Sequence, residues 1–153
     1  MKRRLFIKGS LATGALGVAV STGLLPRTTL AAWSKDAFGA KDVNGALTGL
    51  FGSTDHTASD KIKIKAPDIA ENGAVVPVSI TTDIAGAKSI SIITEKNQQP
   101  LTASFDLGPG TEGYVSTRIK MGKTSKVIAV VKADGKLHSA SKEVKVTIGG
   151  CGG

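Results

Sequence analysis

Lys61-Ile62-Lys63-Ile64-Lys65 alternates a cation with a branched aliphatic residue at every position. Successive side chains of a β-strand point to opposite faces, so this run reads as a strand with one wet face and one dry face. From here onward the period stays at two. Pro67-Asp68 and Glu71-Asn72-Gly73 are turn signals. Val75 to Thr82 follows as a second strand, and Pro77 within it, unable to donate to a ladder, predicts an edge strand or a bulge. Ser89 to Thr94 alternates Ser with Ile, and Glu95-Lys96-Asn97-Gln98-Gln99-Pro100 turns the chain. Leu101 to Leu107, the loop Gly108-Pro109-Gly110, and the alternating Tyr114 to Lys120 come next. Lys126 to Lys132, apolar through Val127, Ile128, Ala129, Val130 and Val131, reads as a central strand. Asp134-Gly135 is a hairpin signal. Lys136 to Ile148 then forms one long strand, or two divided near Ser139–Ser141.

About seven strands, with turns every eight to twelve residues or so, predict an all-β domain, an antiparallel β-sandwich of immunoglobulin-like type. A small closed barrel is the competing arrangement. Upstream of the strands, Trp33 to Phe51 reads differently. Ala37, Phe38, Val43, Ala46, Leu47, Leu50 and Phe51 recur near helical spacing, which predicts one amphipathic helix or two short ones covering a side of the core. Gly39 and Gly45 weaken the pattern and make a break plausible there, and Gly52-Ser53-Thr54-Asp55 ends it.

Residues 1–32 read as a targeting segment rather than as part of the fold. Lys2-Arg3-Arg4-Leu5-Phe6-Ile7-Lys8 sets an arginine pair ahead of an uncharged run, Gly9 to Leu25, that Pro26 breaks and small residues follow. This is the form of a twin-arginine (Tat) export signal, with cleavage near Ala31 or Ala32. Four glycines in the uncharged run make it short and weakly apolar for a stable membrane anchor, which needs ~20 predominantly apolar residues. The segment carries Lys2, Arg3, Arg4, Lys8 and Arg27 and no acid, so most of the formal net charge of +8 belongs to it. The 15 basic and 12 acidic residues that remain are ordinary for a soluble domain and remove the main support for nucleic-acid binding. The expected division is therefore a signal over 1–32, a helix-plus-sandwich domain over 33–148, and a tail over 149–153. The expected compartment is the bacterial periplasm, which permits disulfides.

The tail, Gly149-Gly150-Cys151-Gly152-Gly153, holds the single cysteine of the sequence. A cysteine placed for packing sits in an apolar run. Here Gly149, Gly150, Gly152 and Gly153 surround it, and glycine gives the backbone its widest range. The pattern predicts a flexible arm offering a thiol, with a reach of ~7–10 Å from Gly149 to Cys151. One cysteine cannot close a disulfide within the chain, so it is either reactive or paired between molecules. Other chemistry finds little footing. His56, His138, Cys151 and Met121 lack the local spacing of zinc ligands and the order of a blue-copper set, so no metal is expected. No base stands near Cys151 to activate it as a catalytic nucleophile. Asp68 and Glu71 read as turn residues, and Lys142 and Lys145 as a solvated strand face. A thiol on a narrow arm instead suits a covalent carrier of sulfur, since thiolate attack and sulfur–sulfur bonds are reversible.

The ending Val144-Lys145-Val146-Thr147-Ile148-Gly149-Gly150-Cys151-Gly152-Gly153 resembles the tail of the SoxY family, sulfur carriers of thiosulfate-oxidising bacteria. The export signal, Ile69-Ala70-Glu71-Asn72-Gly73 with Val76-Pro77-Val78, the Lys96-Asn97 turn and Thr117-Arg118-Ile119-Lys120 are similar too. Gln98 departs from the pattern, which has a proline there. The resemblance implies an immunoglobulin-like sandwich paired with a SoxZ subunit as a heterodimer, and no cofactor beyond covalently held sulfur. It implies that a cytochrome complex (SoxXA) joins thiosulfate to Cys151 as an S-thiosulfonate. It further implies that a hydrolase (SoxB) releases sulfate to leave a persulfide and that, where present, a dehydrogenase (SoxCD) oxidises the remaining sulfur. The carrier catalyses nothing itself. Two rivals stand beside this reading. One is a thiocarboxylate carrier using the terminal Gly-Gly, which needs ATP that an exported protein does not meet. The other is a binding or adhesion module dimerised through a Cys151 disulfide.

Overall fold

The computed structural model describes residues 34–147. The signal, Trp33 and the Gly149–Gly153 arm with Cys151 lie outside the described residues. The helical segment is two helices, α1 (Lys35–Gly39) and α2 (Val43–Phe51). The break falls between the two glycines that weakened the pattern. Asp42, in extended conformation, caps α2 by accepting a 2.7 Å hydrogen bond from the Gly45 amide, satisfying one of the donors every helix start leaves open. Gly52 ends α2 in the left-handed region at φ 73°, where a Cβ would be strained. Ser34 Oγ caps α1 and also donates to the Gly49 carbonyl at 3.0 Å. Gly49 is where the helices meet, for a Cβ there would lie 2.7 Å from the Ala37 amide nitrogen.

Among the described residues nine strands follow: β1 (Thr57–Ala58), β2 (Ile62–Lys65), β3 (Ile69–Ala70), β4 (Val76–Thr82), β5 (Ala87–Thr94), β6 (Leu101–Asp106), β7 (Tyr114–Ile119), β8 (Ser125–Ala133) and β9 (Lys136–Val146). They form a sandwich of immunoglobulin-like type. One sheet runs β1-β9-β8-β5-β6 with β3 also on β9, and the other runs β2-β4-β7. The dry face of the opening stretch is real, since Ile62 is buried while Lys63 and Lys65 are exposed. β8 is central, as its apolar run requires, and β9 is a single strand of 11 residues. Asp134 and Gly135 turn the β8–β9 hairpin with φ of 50° and 72°, the sign that tight hairpins demand.

Two features depart from expectation. Pro77 lies on β4, the middle strand of its sheet, rather than on an edge. β2 reaches only as far as the Lys65–Ser79 pair, so beside Pro77 no acceptor on that side waits for the N–H it lacks. β1 and β3, two residues each, occupy stretches that read as loop and turn, and both run parallel to β9.

The sandwich interior joins Val76, Val78, Ile80, Val115 and Ile119 to Ile90, Ile92, Val127, Ala129, Val131 and Val144, with Met121 closing one end. A second apolar layer lies beneath the helices, where Ala37, Ala46 and Leu47 cover Ile93, Leu101, Val130 and Leu137. Each such large aliphatic side chain, fully buried, contributes ~1.5–3 kcal/mol. Adjacent Ile92 and Ile93 serve different layers because successive side chains of a strand alternate in face. Ile92 therefore enters the sandwich and Ile93 the helix layer, while the register shift opposite them places Thr102 of β6 as an extra residue.

Candidate functional site: the base of the cysteine arm

Cys151 and its glycines lie outside the described residues, but the strand that delivers them is described through Thr147. β9 is fastened on both edges as it approaches the arm. On one edge β3 pairs in parallel, Ile69 with Lys145 and Ala70 with Val146. The Lys145 amide donates to the Asp68 carbonyl at 3.0 Å, and the Thr147 amide to the Ala70 carbonyl at 3.1 Å. On the other edge the Val146 amide donates to Thr124 Oγ1 at 2.9 Å. Beneath lies Gly73, whose carbonyl accepts from the Met121 amide at 2.6 Å. A Cβ at Gly73 would run into the Met121 carbonyl oxygen and lie 2.9 Å from a Val146 methyl. Ile69-Ala70-Glu71-Asn72-Gly73, read as a turn, is thus also the lateral support of the arm. A two-residue strand carries no periodicity, so spacing alone gave no sign of it.

Lys142 does more than the solvated-face reading allowed. Its Nζ donates to the Ala66 carbonyl at 2.6 Å and pairs with Asp68 Oδ1 at 3.0 Å, binding the β2–β3 connection to β9. Lys145 is exposed, as expected. Asp68 acts through its carboxylate and its carbonyl, and Asn72 Oδ1 accepts from the Ala74 amide at 2.9 Å in a side-chain-capped turn. Asn97 is a further positioning residue. It donates through Nδ2 to the Lys120 carbonyl at 2.7 Å and accepts at Oδ1 from the Gly122 amide at 3.0 Å, locking the β5–β6 turn onto the loop after β7. The sequence marked the turn but not its partner across the fold.

The candidate metal ligands are dispersed in function. His56 is exposed, its Nδ1 2.8 Å from Ser139 Oγ; His138 is half-buried in β9; Met121 is buried in the sandwich interior. Among the described residues no group of three or more His, Cys, Asp or Glu is placed to hold a metal ion. None of the described helices is long and apolar enough to cross a membrane. A cleft of about 610 Å³ opens beside the β8–β9 hairpin, lined by His56, Lys132 and Lys136 among others. It lies at the start of β9, roughly 30 Å along the strand from Val146 at its other end.

Comparison with known proteins finds one family. A family model described as "Sulfur oxidation protein SoxY" matches residues 47–151, from Leu47 in α2 through Cys151. Among solved structures, the sulfur carrier protein SoxY from Chlorobium limicola f thiosulfatophilum is similar at 51% identity and a TM-score of 0.62. The likeness covers 67% of this chain and 94% of that one. No curated protein matches. With most of its length, Cys151 included, matched by the family model and a solved relative at this identity, the chain belongs to the SoxY family, the sulfur carriers of sulfur oxidation.

Proposed function

We propose that this carrier is exported to the periplasm by the Tat pathway and holds its cargo covalently on Cys151. The observation that carries the reading is that the family match extends to the arm and ends on that cysteine. The tail's composition supports it, since glycine pairs on both sides place no side chain beside the thiol in sequence and glycine allows the backbone its widest range.

In the sequence that family membership implies, the Cys151 thiolate forms a sulfur–sulfur bond with thiosulfate. Two electrons pass to a c-type cytochrome of the SoxXA kind, giving an S-thiosulfonate. Water then cleaves the bond between the outer sulfur and the sulfonate in a SoxB-type hydrolase. Sulfate and two protons leave, and a persulfide anion remains on Cys151. A SoxCD-type dehydrogenase is the further, optional partner. The chain brings no cofactor and no catalytic group of its own, and a SoxZ-like subunit completes it as a heterodimer. Disulfide-linked dimers through Cys151 are a side product of an unloaded thiol in an oxidising compartment.

Replacing Cys151 by serine in the reconstituted thiosulfate-oxidising system is expected to abolish turnover and leave the circular dichroism spectrum unchanged. Turnover that survives the substitution contradicts the reading.

A further inference from the structure

We infer that the cleft beside the β8–β9 hairpin binds a small divalent oxyanion of the sulfate class, with Lys132 as its principal contact. The cleft is at the start of β9, away from the tail, and the inference is independent of what Cys151 carries.

Two stretches far apart in sequence build the cleft, which encloses about 610 Å³. Phe51 closes α2, Gly52 leaves the helix in the left-handed region, and the chain then runs on to pair β1 in parallel with β9, Thr57 opposite His138. That path carries Ser53, Thr54 and His56 along one wall, and the hairpin supplies Lys132, Lys136 and Leu137 from the other. The space is concave and bounded by several elements, a form that suits a small solute.

The charges on these walls do not balance. Lys132 is half-buried, beside Val130 and Leu137 of the layer beneath the helices. Its Nζ stands 5.9 Å from the centre of the Phe51 ring. A ring face attracts a cation but leaves its N–H donors without an acceptor. Among the described residues the ion pair is Lys142 with Asp68, so neither Lys132 nor Lys136 is paired with an acid. Asp55 is the single acid on the lining, set against the two lysines. His56 adds a donor, for its Nδ1 lies 2.8 Å from Ser139 Oγ, and when that hydroxyl donates, the proton is left on Nε2.

A second observation lies one strand away. Ser89 is the cross-strand partner of Lys132 in β5 and therefore shares its face of the sheet. Its Oγ is buried and has no hydrogen-bond partner among the described residues. One region thus holds a half-buried cation without an anion and a buried hydroxyl without a partner, both of which natural structures ordinarily satisfy. Ammonium, imidazole and hydroxyl donors around one space match the several acceptor oxygens of a tetrahedral anion. The cleft is larger than one such ion, which therefore keeps part of its hydration, and the expected Kd is on the order of 1 mM.

The test uses the carrier with Cys151 blocked by iodoacetamide, so that no adduct forms there. Amide nitrogen–proton correlation spectra are recorded while sodium sulfate is added, with sodium chloride at matched ionic strength as the control. Sulfate is expected to move the amide signals of residues 53–57 and 132–137 along saturable curves that chloride does not reproduce. Lys132→Gln keeps much of the stem that packs on Phe51 and removes the charge. It is expected to raise the Kd about tenfold, the loss of one charge-assisted hydrogen bond. Lys136→Gln, at an exposed position, is expected to raise it severalfold and serves as the second variant should Lys132→Gln disturb the fold. Lys63→Gln, exposed on β2 of the other sheet, is expected to leave the Kd at the wild-type value. Shifts that stay linear in sulfate, an equal response to chloride, or a Kd unmoved by the Lys132 and Lys136 substitutions overturns the proposal.

Discussion

Gly73 carries the tightest requirement at the arm's base, since a methyl group there meets the Met121 carbonyl and the Val146 side chain at once. Neither neighbour yields freely, one being backbone and the other part of β9. Gly73→Ala is expected to cost about 1–3 kcal/mol, the scale of overpacking in a well-packed site, read as a lower midpoint in urea unfolding. Tyr114, the only tyrosine, offers a clean optical probe. Hydrogen bonds with Ser79 and Ser116, aided by the Lys65 charge, hold its phenol below the ordinary value of 10.0. Absorbance titration is expected to show a midpoint below that value, returning toward it when Ser79 and Ser116 are both replaced by alanine. With the folded pKa lowered, any linked stabilisation is present above the unfolded pKa and is lost as pH falls through the folded one. Of these residue roles, the sequence showed only identities. A glycine in Asn72-Gly73 reads as a turn residue, and nothing local tells that β9 passes within contact of it.

Among the elements, the longer strands were legible because each alternates or is uniformly apolar for at least four residues, as in Ile62–Lys65 and Ser125–Ala133. β1 and β3 were not, for a strand of two residues has no period and owes its existence to β9's free edge. The bulge at Thr102, where β6 slips one residue against β5, was equally hidden, because an extra residue in a strand carries no mark of its own in sequence. The position of Pro77 was misjudged for a related reason: the rule concerns a missing acceptor, and a middle strand meets it wherever its neighbour stops short. Asn97 shows what joins elements that pattern leaves separate. Its two side-chain hydrogen bonds hold the β5–β6 turn to the loop that carries Gly122 and leads to Thr124, itself bonded to Val146. Asn97→Ala is expected to cost about 1–3 kcal/mol, two bonds at ~0.5–1.5 kcal/mol each, measured by urea denaturation. A smaller effect than ~0.5 kcal/mol means that the turn holds its place without the side chain.

Taken whole, the molecule is a sandwich with helices over one face and, at one end, a strand fastened on both edges before it gives way to glycine. That arrangement separates two demands that conflict within a single element. On the proposed function, the attachment point needs freedom to enter foreign sites, and its origin needs a fixed position so that each partner finds it in the same place. The sandwich class was readable from pattern and composition. The bracing of the arm was not, because it depends on contacts between residues some 70 positions apart, such as Ala70 with Thr147. Among the described residues, the outer face of β2-β4-β7 is not the apolar face that a stable heterodimer leads one to expect. The outer face of β2-β4-β7 bears Lys63, Lys65, Ser79, Ser116 and Arg118, with Tyr114 as its large apolar group. The account as a whole stands on cargo being bonded to Cys151. The direct measurement is peptide mass spectrometry of the carrier after incubation with thiosulfate and the loading enzyme, without reductant. Thiosulfate-derived mass is predicted on the tryptic peptide that follows Lys145, localised to Cys151 and removed by a thiol reductant. Cargo on any other residue, or on the Gly153 carboxylate, contradicts the account.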